Sequence, residues 1–217
     1  MQEQIYLSNT YCFYKKSNIL DVVQYRGESW IALEKNIFHP KGGGQPSDIG
    51  FIDGIKVIEV KKNKEGIVFL KLQDGYKPLG SVEAEIDKEN RKKLAALHTA
   101  GHLINAVMKC QGFSYYSCNH EPRKSRVVMQ LCSYVDKCII GDMIEENVNN
   151  IVKKGFPVTA TYSEEGLRVI TIGHEIIDHC AGTHVKKTSM IEEFKIRSIK
   201  VKKETLSVGY DCSHTLH

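Results

Sequence analysis

His98 and His102 stand four apart in a stretch with helical spacing, so both imidazoles project from one face, roughly 6 Å apart along the axis. Two neutral imidazoles so placed can share one divalent ion. Alone the pair says little, because histidines at this spacing are commonly core or surface residues. Cys180-Ala181-Gly182-Thr183-His184 offers the complement, a thiol and an imidazole four apart with a glycine to tighten the loop between them. Together the two pairs supply mixed nitrogen and sulfur donors, the set that suits Zn2+. One zinc ion per chain, held by His98, His102, Cys180 and His184, is the expectation. Position 99 is Thr where HExxH metalloproteases carry their general base, which argues against a peptidase of that type. Four protein ligands make a closed structural site, whereas catalysis needs an open position. His184 is the ligand expected to stand back, with three and four ligands both open.

A second chemical feature is Phe38-His39-Pro40-Lys41-Gly42-Gly43-Gly44-Gln45-Pro46-Ser47-Asp48. Three consecutive glycines disfavour a strand or helix interior and make a loop whose backbone can approach another group closely. Their N–H groups can stabilise developing negative charge, so Gly43, Gly44 and Gln45 join Thr99 as candidate catalytic residues. Gln45 and Asp48 can orient a water or a ribose. The plainer readings are a tight turn for the loop and, for Thr99, a hydrogen bond to the carbonyl one turn back. Glu175 and Asp178 are candidate partners of a ligating histidine. His120, His174 and His179 read as surface or structural residues, and His214 and His217 as a disordered tail.

The elements that must carry these residues fall into two groups. Residues 1–86 read as an all-β module. Its short runs are Ile5–Leu7, Cys12–Lys16, Ile19–Tyr25 and Ser29–Glu34, with a turn at Asp53-Gly54 and a hairpin of 55–60 with 67–72. Strands so spaced suggest a small barrel. Residues 87–217 read as α+β. A helix capped by Asp87 runs over 88–109 and stops at Gln111-Gly112. A second helix runs over 143–153, with Asp142 and Glu145 as its capping pair and Gly155 as its stop. Strands are expected at 126–131, 158–163, 195–201 and 205–210. The fold class is therefore α+β, a small N-terminal β-barrel followed by an antiparallel sheet packed on helices.

The 217 residues suffice for one large or two small domains, and 41% hydrophobic content supports an ordinary core. No stretch approaches the ~18 apolar residues of a membrane span, and no signal peptide is evident at the N-terminus. Seven cysteines form no disulfide framework. Cys12, Cys110, Cys118, Cys132, Cys138 and Cys212 are expected in the interior of a cytoplasmic protein. A net charge of +4 permits phosphate contact without demanding it. The basic groups Lys61-Lys62, Arg91-Lys92-Lys93, Lys153-Lys154, Lys186-Lys187 and Lys200 to Lys203 read as solvated faces that can also track an RNA backbone.

These motifs resemble those of the freestanding alanyl-tRNA editing proteins, the AlaX family, related to the editing domains of alanyl- and threonyl-tRNA synthetases. His98-Thr99-Ala100-Gly101-His102-Leu103 is similar to the family's first metal motif. Cys180-Ala181-Gly182-Thr183-His184-Val185 is similar to its second, usually C-G-G-T-H-V. Phe38 to Asp48 resembles the glycine-rich motif of the medium-length form, with His39 and Lys41 in place of Tyr and Glu. Glu193 to Arg197 resembles the C-terminal end. The resemblance implies a barrel before a zinc-binding editing domain at 87–217. It also implies hydrolysis of the ester joining an amino acid to the 3′ end of tRNA(Ala), with Ser-tRNA(Ala) or Gly-tRNA(Ala) as substrate. The serine-binding threonine of some members has no certain counterpart, Ser114, Tyr116 and Ser117 all being open. The alternatives are a zinc-stabilised tRNA-binding module without activity and a different metallohydrolase. Nothing resembles a synthetase's ATP-binding domain.

Overall fold

The computed structural model describes residues 1–73, 78, 80–131 and 136–215. It divides into two compact units, Met1–Gly42 with Pro46–Arg91, and Gly43–Gln45 with Lys92–His217. The second unit thus takes three residues out of the glycine-rich motif.

The first unit opens with a two-residue strand β1 (Glu3–Gln4) and one helical turn α1 (Ile5–Ser8). The strands β2 (Tyr14–Tyr25), β3 (Glu28–Leu33), β4 (Lys35–Asn36), β5 (Gly50–Ile52), β6 (Ile55–Lys62), β7 (Val68–Leu72) and β8 (Ser81–Ile86) follow. Six of them close a barrel in the order β2-β3-β7-β6-β5-β8, and β1 pairs with β4 in parallel. Alternation explains the closure: in β8, Val82, Ala84 and Ile86 are buried while Ser81, Glu83 and Glu85 are exposed, so every second side chain enters the barrel. Ile31, Leu33, Ile52, Val57, Val68 and Leu70 complete that interior. The turn at Asp53-Gly54 has φ of 50° and 78°, the left-handed pair that a two-residue hairpin requires.

Two expectations fail here. Ile5–Leu7 is helical, because Ile5 and Tyr6 are buried consecutively rather than alternately and the Asn9 amide closes on the Ile5 carbonyl at 2.7 Å. Cys12–Lys16 and Ile19–Tyr25 belong largely to one strand, since Ser17 accepts from the Lys35 amide at 2.9 Å and lets the strand run through.

The second unit is α+β. Helix α2 (Lys88–Cys110) has Asp87 at its start, whose carboxylate accepts from the Asn90 amide at 2.9 Å, and Gly112 with φ of 84° just beyond its end. Its buried stripe includes Leu97, Ala100, Leu103, Ile104 and Met108. Strands β9 (Ser114–Asn119) and β10 (Arg126–Gln130) precede helix α3 (Lys137–Lys154). Then come β11 (Val158–Tyr162), β12 (Arg168–Ile172), β13 (Ile176–His179), β14 (Ile191–Lys202) and β15 (Thr205–His214). Four strands form an antiparallel sheet, β14-β15-β10-β9, and three form another, β11-β12-β13.

Helix α3 begins six residues earlier than the spacing suggests. Asp136 caps it, accepting from the Cys138 and Ile139 amides, while Glu145 accepts from the Ile196 amide of β14 instead. Cys110 and Cys138 are exposed, not interior, whereas Cys212 is buried. His214 is not a loose tail but a buried end of β15; Cys132 and His217 lie outside the described residues. No helix among the described residues is long and apolar enough to cross a membrane.

Candidate metal centre

Helix α2 delivers two imidazoles at once. The rings of His98 and His102 stack with centroids 5.2 Å apart and planes within 7°. The loop after β13 brings Cys180 and His184 to the same place. Ligand atoms of His98, His102, Cys180 and His184 all lie within 4.8 Å of one another, a group able to hold a metal ion. The Cys180 sulfur is 3.3 Å from Nε2 of His98 and 3.3 Å from Nε2 of His184.

The Cys180–His184 loop is tight for identifiable reasons. The Gly182 amide points at the Cys180 sulfur, 3.4 Å away. Arg168 of β12 donates from one guanidinium nitrogen to the carbonyls of Cys180 and Gly182, at 2.7 and 2.9 Å. A Cβ on Gly182 would stand 2.2 Å from Cε1 of His98, so only glycine fits against that ring.

Each of the three imidazoles is held by its outer nitrogen. Asp178 accepts from Nδ1 of His102 at 3.0 Å. Gln45 places its side-chain oxygen 2.8 Å from Nδ1 of His98. Thr99 gives its single hydroxyl proton to the Ala95 carbonyl, so at 3.3 Å it accepts from Nδ1 of His184, and it also accepts from the Val185 amide. All three rings therefore carry Nδ1–H and turn Nε2 inward. Nε2 of His102 is buried with no hydrogen-bond partner. A buried polar nitrogen left unpaired costs about 1–3 kcal/mol, and a metal taking its lone pair removes that cost. The donor set, three imidazole nitrogens and one sulfur, fits such an ion.

Charge follows the same geometry. Burial disfavours a charged His102, but its hydrogen bond to Asp178 and the neighbouring Cys180 sulfur outweigh burial and raise its pKa to about 9. The hydrogen bond to His102 holds Asp178 below the usual carboxylate range.

Among the other sequence candidates, Thr99 and Gln45 are fully buried, and Thr99 makes the hydrogen bond one turn back along the helix. Gly43 and Gly44 are exposed, with φ of 54° and 77°. Gly44 lies against Cys118, where a Cβ would approach the sulfur to 2.6 Å, and its carbonyl accepts from the His120 amide at 2.8 Å. Asp48 belongs to the first unit, where it is ion-paired with Arg91. Glu175 lines a cavity of about 340 Å³ with His102, Asn105, Lys109, Ile176 and Asp178.

Of the two readings open for His120, surface or structural, the structural one holds. The residue is buried, and its ring stacks on that of His98 with centroids 4.3 Å apart. Tyr210 donates its hydroxyl proton to the Leu97 carbonyl at 2.8 Å and so accepts from Nδ1 of His120 at 2.7 Å. Burial, then the positive charge on His102, push the His120 pKa down to about 3. Nothing in local spacing marks His120, because the pairing of β9 with β10 brings it here. Arg168 did leave a signal, a charged residue opening the apolar run Val169 to Ile172.

Comparison with known proteins adds a second line. The family model for the threonyl and alanyl tRNA synthetase second additional domain matches residues 167–207, the stretch that contains Cys180 and His184. The alanyl-tRNA editing protein AlaX-M of Pyrococcus horikoshii is 28% identical over 215 residues, covering 96% of this chain and 94% of that one. The chain thus resembles an alanyl-tRNA editing protein along nearly its whole length. It also matches alanine–tRNA ligases. That of Methanococcus vannielii is 32% identical over 89% of this chain and that of Nitrosopumilus maritimus 30% over 80%. Only 24% and 22% of those ligases are covered, so the chain spans about a quarter of their length.

Proposed function

We propose that this protein hydrolyses the ester between a wrongly attached amino acid and tRNA(Ala), at a single zinc ion held by His98, His102, Cys180 and His184. The observation that carries the reading is the convergence of those four side chains in a chain that matches AlaX-M over 96% of its length. Nitrogen and sulfur donors in this mixture favour zinc over magnesium or calcium. Residues 87–217 act as the zinc-binding editing domain, and residues 1–86 form the barrel that carries the glycine-rich motif. The setting is the cytoplasm, where translation runs.

An aminoacyl ester is already activated, so a modest catalyst suffices. Zinc bound there would polarise the ester carbonyl or anchor the substrate's amino group. The chain's own residues do the rest. Asp178 and Thr99 fix the orientation of two histidines, and Arg168 keeps the Cys180–His184 loop closed. The exposed backbone of Gly43 and Gly44 supplies N–H groups to the oxygen on which charge develops. Rejection of Ala-tRNA(Ala) needs polar groups that a serine hydroxyl satisfies and a methyl group leaves unpaired.

The test is a deacylation assay on Ser-, Gly- and Ala-tRNA(Ala). Ser-tRNA(Ala), Gly-tRNA(Ala) or both are expected to lose their amino acid while Ala-tRNA(Ala) is spared, and chelator is expected to abolish the difference. Binding of all three tRNAs with every ester intact would instead identify a non-catalytic tRNA-binding module.

A further inference from the structure

We propose that Gln45 is a positioning residue for the metal centre: its side-chain oxygen fixes His98 as the Nδ1–H tautomer and so aims the Nε2 lone pair at the ion. The inference rests on the zinc reading above and deepens it.

Gln45 is fully buried, and its amide is committed on both sides. Its oxygen is 2.8 Å from Nδ1 of His98 and 3.0 Å from the Thr183 amide, and its nitrogen is 2.9 Å from the Thr183 hydroxyl. A peptide N–H can only donate, so the oxygen must face Thr183 and the flipped amide is excluded. That oxygen carries no proton, so Nδ1 of His98 must supply one. The lone pair is then on Nε2, the nitrogen 3.3 Å from the Cys180 sulfur. The opposite tautomer would present an N–H to the metal and leave two lone pairs facing each other at the glutamine.

The ring has no room to escape this arrangement. A Cβ on Gly182 would reach both Cε1 of His98, at 2.2 Å, and the Gln45 oxygen, at 3.0 Å. His120 covers His98 with its own stacked ring. Helix α2 therefore carries two histidines with unlike anchors, a carboxylate at His102 and a neutral amide at His98. The amide orients its ring without adding charge to a buried cluster. In the glycine-rich motif, Gly43 and Gly44 are exposed and Gln45 is buried. The exposed glycines are available to substrate, and Gln45 acts through His98.

Nitrogen-15 NMR of His98, on metal-free and zinc-loaded protein, reads the tautomer directly, and chelator competition reads zinc affinity. The expected result is a proton on Nδ1 in both forms. Gln45→Leu should weaken zinc binding by about 10–100-fold, and Gln45→Glu, which keeps an acceptor, should recover most of that loss. A proton on Nε2 of His98 in the wild type would overturn the proposal. So would a folded Gln45→Leu that binds zinc as the wild type does, or a Gln45→Glu no better than Gln45→Leu. Should Gln45→Leu fail to fold, the wild-type tautomer decides alone. A wild type that binds zinc but deacylates nothing would sink the proposed activity and leave the His98 result standing by itself.

Discussion

The metal-type side chains are legible in the sequence, and of the groups that orient them Asp178 is too, but the part Gln45 and Thr99 play beside the histidines is not. His98, His102, Cys180 and His184 announce themselves by residue type and i, i+4 spacing. Gln45 is 53 residues from His98, and Asp178 is 76 from His102. No local pattern links such pairs, and only chain folding brings them into register. Asp178 is recognisable as a carboxylate near the second motif, whereas nothing near His120 in sequence separates a structural from a surface role. The anchors set the directions of the lone pairs, and direction decides affinity. Asp178→Ala removes the acceptor at Nδ1 of His102 and frees the ring to rotate. Zinc affinity is expected to fall about 10–100-fold, measured by chelator competition, with the secondary structure seen by circular dichroism unchanged.

Element boundaries followed the same logic. Strands with clean alternation, such as β8, and the apolar stripe of α2 were readable because one face is buried. Strands β9, β12 and β13 escaped notice: Ser114–Asn119 shows no apolar alternation, and β13 has only four residues. Helix α3 was shortened because the Asp142 and Glu145 pair looked like a cap, while the real cap, Asp136, lay ahead of it. The basic run Arg91-Lys92-Lys93 also departs from its expected solvated face. Arg91 at the start of α2 is fully buried, bonded through two guanidinium nitrogens to Asp48 and also to the Ile37 and Thr10 carbonyls. Asp48 accepts in turn from the His39 amide. A buried pair of this kind is costly to break from one side, because the survivor keeps its charge without a partner. Arg91→Met is expected to destabilise the first unit by about 3–5 kcal/mol, read from urea unfolding. A loss under about 1 kcal/mol would mean that Asp48 finds another donor or takes up a proton.

At the scale of the molecule, the fold class was readable because alternating runs precede the helical ones along the chain. With Arg91 in an ion pair and Lys93 bonded to Asp211, the basic groups whose lysines remain exposed are 61–62, 153–154, 186–187 and 200–203, Lys61 being paired with Glu59. If they track an RNA backbone, tRNA affinity should fall steeply between about 50 and 200 mM salt, as filter binding can measure. A flat salt response would remove them from the interface. One ion serving one reaction is what the proposed activity requires. Titrating zinc into metal-stripped protein, while following both bound metal and the rate of Ser-tRNA(Ala) deacylation, tests that directly. Occupancy and rate should rise together and break at one equivalent, with Cys180→Ala showing neither. Full deacylation by the stripped protein, or by Cys180→Ala, would contradict it.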